Sequence, residues 1–161
     1  MPKIGIISDS HDNLVKFNLA VDIFNVNKVD FVFHAGDFVA PFTVPVLDKL
    51  EMGYLGVFGN NDGEKKGLSA SSKGNIKEGP LKFKKFGKEI ILTHSLDSVA
   101  RGDIENNLSD IVIYGHTHHA QIYKNGKCLF INPGECGGWL YGKSTIAICD
   151  LDNLSCHILE I

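Results

Sequence analysis

The sequence predicts an α/β fold of two packed β-sheets flanked by helices, and three observations predict it. The first sixty residues or so alternate short β-branched apolar runs with helical patterns, the grammar of parallel βαβ units. The second half reads instead as hairpin-linked strands. Most of the apolar runs outside the tail end in Asp, Asn or His, and ligands gather at the carboxyl ends of parallel strands. At 161 residues the chain fits one domain, taken here as 1–161.

KIGIIS (3–8) is a buried-strand pattern. Asp12 can cap a following helix in which Leu14, Phe17, Val21 and Phe24 keep helical spacing. VDFVFHAG (29–36) is a second strand, followed by a helix that Thr43 caps and that carries Pro45 in its first turn, where proline is tolerated. YLGVFGN (54–60) is a third strand. GEKKGLSASSKGNIKEG (63–79) is nearly free of apolar residues and reads as a mobile surface segment. LKFKKFGKEIILTHS then turns near Gly87 and runs into a buried strand ending at His94. A short helix is expected after Ser98 with Val99, Ile104 and Leu108 inward, and DIVIYG (110–115) is another strand. QIYKN, KCLFIN and a terminal STIAICD/SCHILEI hairpin complete the layout.

Composition excludes several classes. A net charge of −3 gives no general electrostatic footprint for nucleic acid or an anionic membrane. No stretch approaches the roughly 20 apolar residues of a membrane span, and MPKIGIISDS is too short and polar for a signal peptide. A cytoplasmic protein is the default. Cys128, Cys136, Cys149 and Cys156 show no CxxC spacing and read as reduced packing residues, with a Cys149–Cys156 cross-strand disulfide the lesser alternative.

The strand ends supply Asp9 and His11, Asp37, Asn60 to Asp62, His94, then His116, His118 and His119. Two aspartates, one asparagine and four histidines are too many donors for one tetrahedral zinc and suit two ions sharing a carboxylate. Asp37 is the candidate bridge, one ion on each oxygen. Manganese fits this mixed imidazole and oxygen set, as do nickel, iron, zinc, cobalt or magnesium. Two divalent ions against two aspartates and a hydroxide leave a formal charge of about +1. An anion belongs there, and phosphate esters match a metal pair. Gly36, Gly59 and Gly115 each precede a donor and let the chain turn into the site. His119 is expected on the opposite face, His34 as a hydrogen-bonded structural residue, His157 on the surface and Trp139 in packing, with a pocket wall its lesser alternative.

In order, DSH, GD, GNND, TH and GHTH resemble the motifs of the calcineurin-like metallophosphoesterase superfamily, and INPGE (131–135) resembles its small phosphodiesterase branch. The resemblance spans Asp9 to His118 and implies a four-layer αββα sandwich of two mixed sheets. It implies one ion on Asp9, His11, Asp37 and His118, and another on Asp37, Asn60, His94 and His116. A bridging hydroxide would then hydrolyse a small phosphodiester. The alternatives are a phosphomonoesterase and a non-catalytic metal-binding scaffold of the same fold. Catalytic roles are expected for Asp37, Asn61 and Asp62. Asn61 stands where the family usually has histidine, and an amide cannot protonate a leaving group.

Overall fold

The computed structural model describes residues 1–100, 102–103 and 109–161. β1 (Lys3–Ile7), β2 (Phe31–His34), β3 (Gly53–Val57) and β4 (Ile76–Lys77) pair in parallel, and the hairpin β10 (Thr145–Asp150) and β11 (Ser155–Glu160) adds antiparallel strands beyond β1. The second sheet runs β5 (Leu81–Lys85), β6 (Lys88–Leu92), β7 (Ile111–Ile113), β9 (Cys128–Pro133), β8 (Ala120–Asn125). Here β6, β7 and β9 are parallel and the two edge strands antiparallel. Both sheets are mixed, as expected.

Strand alternation explains the layers. Ile4, Ile6 and Phe33 of the first sheet meet Ile90, Leu92, Ile111, Ile113, Leu129 and Ile131 of the second. On the other side, Val32 and Ile7 pack beneath α1 (Leu14–Val26) through Phe17, Ala20, Val21 and Phe24. Leu14 of the expected stripe is 38 % exposed. The outer face of the second sheet buries Ile91, Val112 and Phe130 with Val99 and, partly, Leu96. The rest of the helix expected there, with Ile104 and Leu108, lies outside the described residues. Among the described residues no helix is long and apolar enough to cross a membrane.

Four local expectations are corrected. Asn13, not Asp12, caps α1 by accepting from Lys16 N–H, while the Asp12 carboxylate accepts from Ala40 N–H. Thr43 lies inside a 3₁₀ helix, Pro41–Lys49, whose start is set by proline at its first position. Segment 63–79 is ordered: α2 (Lys65–Ser71) and β4 bury Leu68 and Ile76 completely. Those are two of its few apolar side chains, and they suffice to dock it on the core. Cys149 and Cys156 form a disulfide, because they are directly opposed partners across β10 and β11.

Leu68→Ala tests the corrected segment. A fully packed leucine costs about 2–5 kcal/mol when cut to alanine, whereas a mobile surface position costs within about 0.5 kcal/mol. Urea denaturation is expected to give the larger value.

Candidate metal centre

The polar side chains hang from the first residues beyond the parallel strands of both sheets, and backbone hydrogen bonds stitch these ends together. Asp9 N–H donates to Gly36 O (2.9 Å), His11 N–H to Asp37 O (3.1 Å), Gly115 N–H to His94 O (3.0 Å) and Gly137 N–H to Asp9 O (3.0 Å). Asp9, His11, Asp37, His116 and His118 all have left-handed backbones, with φ between 41° and 70°. Such conformations cost non-glycine residues of order 1–3 kcal/mol each and persist only where the surroundings over-determine them. The turns also need two glycines beside them for space. A Cβ on Gly59 would collide with the Asp37 carboxylate, and one on Gly115 would strike Ser8 Oγ and lie 2.7 Å from Asp9 Oδ2.

Seven expected donors come together here in two groups. Asp9, His11, Asp37 and His118 each present one atom within 4.8 Å of the others. His11 Nε2 lies 3.7 Å from Asp9 Oδ1 and 3.4 Å from Asp37 Oδ2, and His118 Nε2 lies 3.5 Å from Asp9 Oδ1. In the second group, Asn60 Oδ1 is 2.8 Å from His94 Nε2 and 2.9 Å from His116 Nδ1, and His94 Nε2 is 3.4 Å from Asp37 Oδ2. Asp37 therefore faces both groups with the same oxygen, Oδ2. Both Asp37 oxygens accept from Asn61, Oδ1 from its N–H and Oδ2 from its Nδ2, each at 2.8 Å, while His11 and His94 both lie on the Oδ2 side rather than one on each oxygen.

The hydrogen bonds behind the imidazoles fix their tautomers. His94 Nδ1 lies 2.7 Å from Ala35 O and His118 Nδ1 2.9 Å from Glu135 Oε2, both acceptors. Each ring donates from Nδ1, so a neutral ring turns a bare Nε2 lone pair toward carboxylate or amide oxygens. Lone pairs facing lone pairs need a proton or a cation between them. Asp9 Oδ1 and His11 Nε2 are buried without any hydrogen-bond partner, which buried polar atoms rarely tolerate. These donors fit divalent cations, and the carboxylate or carbonyl behind each ring is the support metal-binding histidines require.

Charge compensation points the same way. Burial pushes the Asp37 carboxyl up, but His94 and the two Asn61 donors outweigh it and hold Asp37 well below the usual carboxylate range. The Asp9 carboxylate raises the His11 imidazole against burial. Burial lowers His94, yet Asp37, with Asp9 and the Ala35 carbonyl, raises it overall. Cys136 borders this region, but burial pushes its thiol up to about 12, making it a packing residue.

The neighbouring residues divide sharply. Asn61 donates from Nδ2 to Asp37 Oδ2 at 2.8 Å. Asp62 takes a different place from the one expected of a catalytic group: its carboxylate, 2 % exposed, accepts from the N–H groups of Asp37, Val39 and Gly59. It positions the Asp37 turn and does not reach the cleft. His34 is buried and bonded to Ser10 Oγ and Gly36 N–H, and burial keeps it far below the ordinary imidazole range. His119 is exposed and stacks on Tyr141 at 4.3 Å, and His157 is exposed. Trp139, expected in packing, is 68 % exposed and helps wall a cavity with His11 and His118. Glu135, which also follows a buried strand, carries no sequence signal of its own beyond that position, yet its carboxylate lies 2.9 Å from His118 Nδ1. On the other side a cleft of about 230 Å³ reaches Asn60, His94 and His116.

Comparison with known proteins gives one consistent family. Residues 2–154 match the calcineurin-like phosphoesterase superfamily domain. The chain is 39 % identical over 155 residues to a phosphodiesterase of Methanocaldococcus jannaschii, covering 93 % of each. A solved archaeal phosphodiesterase superposes with a TM-score of 0.90 at 36 % identity, over 99 % of both chains. Vacuolar protein sorting 29 of Cryptosporidium parvum superposes with a TM-score of 0.69 at 16 % identity, over 99 % of this chain and 96 % of that one, a likeness of fold alone.

The raised imidazoles generate a signed pH dependence. A folded pKa above the unfolded value of about 6.5 stabilises fully below that pH, and the contribution is lost as pH rises through the folded value. Metal-free protein should therefore lose stability as pH rises above about 6.5 through His11 and His94. With saturating divalent cation the trend should reverse, since cations and protons compete for the same nitrogens. Denaturation midpoints with chelator and with metal check this; parallel pH trends would contradict it.

Proposed function

The chain belongs to the calcineurin-like phosphoesterase superfamily, and from that premise we propose that it hydrolyses small phosphodiesters at a centre of two divalent ions. Asp9, His11, Asp37 and His118 would hold one ion, and Asp37, Asn60, His94 and His116 the other. The observation that carries the reading is the single oxygen, Asp37 Oδ2, facing both donor groups. Manganese is the first candidate, with nickel, iron, zinc, cobalt or magnesium as substitutes. A cytoplasmic setting belongs to the same reading, and the Cys149–Cys156 bridge stands as a feature against it.

Bound there, two divalent ions would supply a nucleophilic water at neutral pH and positive charge beside the phosphoryl oxygens. The chain's own residues prepare the place. Asn61 keeps Asp37 ionised and aimed, with one N–H from the backbone and one from the amide. Ala35 O and Glu135 turn the Nε2 atoms of His94 and His118 inward. The second amide hydrogen of Asn61 remains available to a phosphoryl oxygen. No proton can come from it at neutral pH, so leaving groups that depart as stable anions are favoured.

The test combines a substrate panel with two variants. Aryl phosphodiesters are expected to turn over faster than alkyl phosphodiesters and phosphomonoesters, with chelation abolishing all turnover. Asp37→Asn should weaken metal binding at both places by more than the roughly 10–100-fold typical of lost supporting contacts, and His119→Ala should leave binding intact. Metal titration with two-site binding unaltered in Asp37→Asn would remove the shared carboxylate. Preference for monoesters would move the activity to the phosphomonoesterase class.

A further inference from the structure

The cavity on the His11 side is walled by His118, Trp139 and Leu140 and measures about 260 Å³. Two of its walls are candidate metal donors, and the other two come from the loop after β9. Trp139, Leu140 and Tyr141 of that loop are 68 %, 62 % and 50 % exposed. Large apolar side chains grouped this way in the open are uncommon unless something covers them.

The loop is anchored to the centre itself. Trp139 Nε1 donates to His11 O at 3.0 Å, which fixes the indole beside that imidazole. Leu140 and Tyr141 N–H donate to Glu135, the carboxylate that also holds His118 Nδ1. Asn13 Nδ2 donates to Gly137 O, and Gly137 N–H to Asp9 O. The apolar surface is thus held in register with the donors by the same contacts that orient them. His119 stacks on Tyr141 at 4.3 Å and closes one side of the loop.

We propose that this cavity is a subsite for a flat aromatic group esterified to the phosphate, which would stack on the Trp139 indole against Leu140. The inference rests on the phosphodiesterase reading and names the substrate class within it: esters with an aromatic arm, either a nucleobase or a simple aryl group. Stacking suits this surface because an exposed indole gains contact with any ring face without demanding particular hydrogen bonds. The immobilised ring loses little entropy on binding, since its Nε1–H is already tied.

Trp139 is the chain's sole tryptophan, so its fluorescence reports the subsite directly. Zinc-loaded protein is titrated with phenylphosphonate, thymidine 5′-monophosphate, methylphosphonate and inorganic phosphate. Inhibition of aryl diester hydrolysis is measured in parallel. The aromatic ligands should give a saturable fluorescence change and inhibit roughly tenfold better than methylphosphonate. Trp139→Ala should bring that ratio toward one, and Trp139→Phe should keep most of it. A larger advantage for thymidine 5′-monophosphate than for phenylphosphonate identifies a nucleobase arm, and the reverse identifies a simple aryl arm. Equal inhibition by phenyl- and methylphosphonate, with silent fluorescence, would overturn the subsite and leave the metal-centre reading standing. No inhibition by any of the four would overturn both. Fluorescence that follows protein concentration and ignores the aromatic ligands would make the patch an interface between copies and overturn the subsite.

Discussion

Two carboxylates buried at the seam between the sheets set the terms for everything around them. Asp9 is fully buried and Asp37 is 1 % exposed, and an uncompensated buried charge costs several kcal/mol. The structure gathers compensation from every neighbouring strand end. Asp9 receives the Ser8 hydroxyl and the His116 N–H, and Asp37 receives both donors of Asn61. What remains, Asp9 Oδ1 and the His11 Nε2 facing it, has no hydrogen-bond partner. The residual demand is for positive charge, and the Nδ1 contacts of His94 and His118 turn their Nε2 atoms toward the carboxylates.

The backbone meets the same demand at its own cost. Five donor residues take left-handed conformations, and Val39 does so too, at φ 82°, although β-branched residues strongly avoid that region. Its N–H is held by Asp62, which also holds the N–H groups of Asp37 and Gly59. Burial raises the Asp62 carboxyl while those N–H groups lower it, so its contribution is the shape of the turn. Function acts here through strain that the two-sheet scaffold can carry. Neither sheet alone supplies the set, because Asp9, His11, Asp37 and Asn60 follow strands of the first and His94, His116 and His118 follow strands of the second.

Much of this was legible in the residues. The switch from βαβ grammar to hairpins places the strands, and the strand-end rule alone collects the seven candidate donors. What escaped it depended on distance and pairing across the chain. The composition of segment 63–79 implies mobility, whereas Leu68 and Ile76 dock it on the core. Asn61 donates to both Asp37 oxygens, so the side of the carboxylate that the two groups share is set by where His11 and His94 lie, which no motif encodes. Glu135 follows β9 as the donors follow their strands, but its role emerges only from the distance to His118. The Cys149–Cys156 bridge is decided by direct opposition across β10 and β11, against the expectation from compartment. Residue type alone leaves Trp139 between packing and a pocket wall, and a hydrogen bond to His11 O decides for the wall.

The central claim is that one oxygen, Asp37 Oδ2, serves both donor groups. Anomalous diffraction from crystals soaked in zinc measures it directly. The account predicts two anomalous peaks per chain, each about 2.0–2.2 Å from Asp37 Oδ2, one beside His11 and His118 and the other beside Asn60, His94 and His116. A single peak, or two peaks divided between Oδ1 and Oδ2, would contradict it.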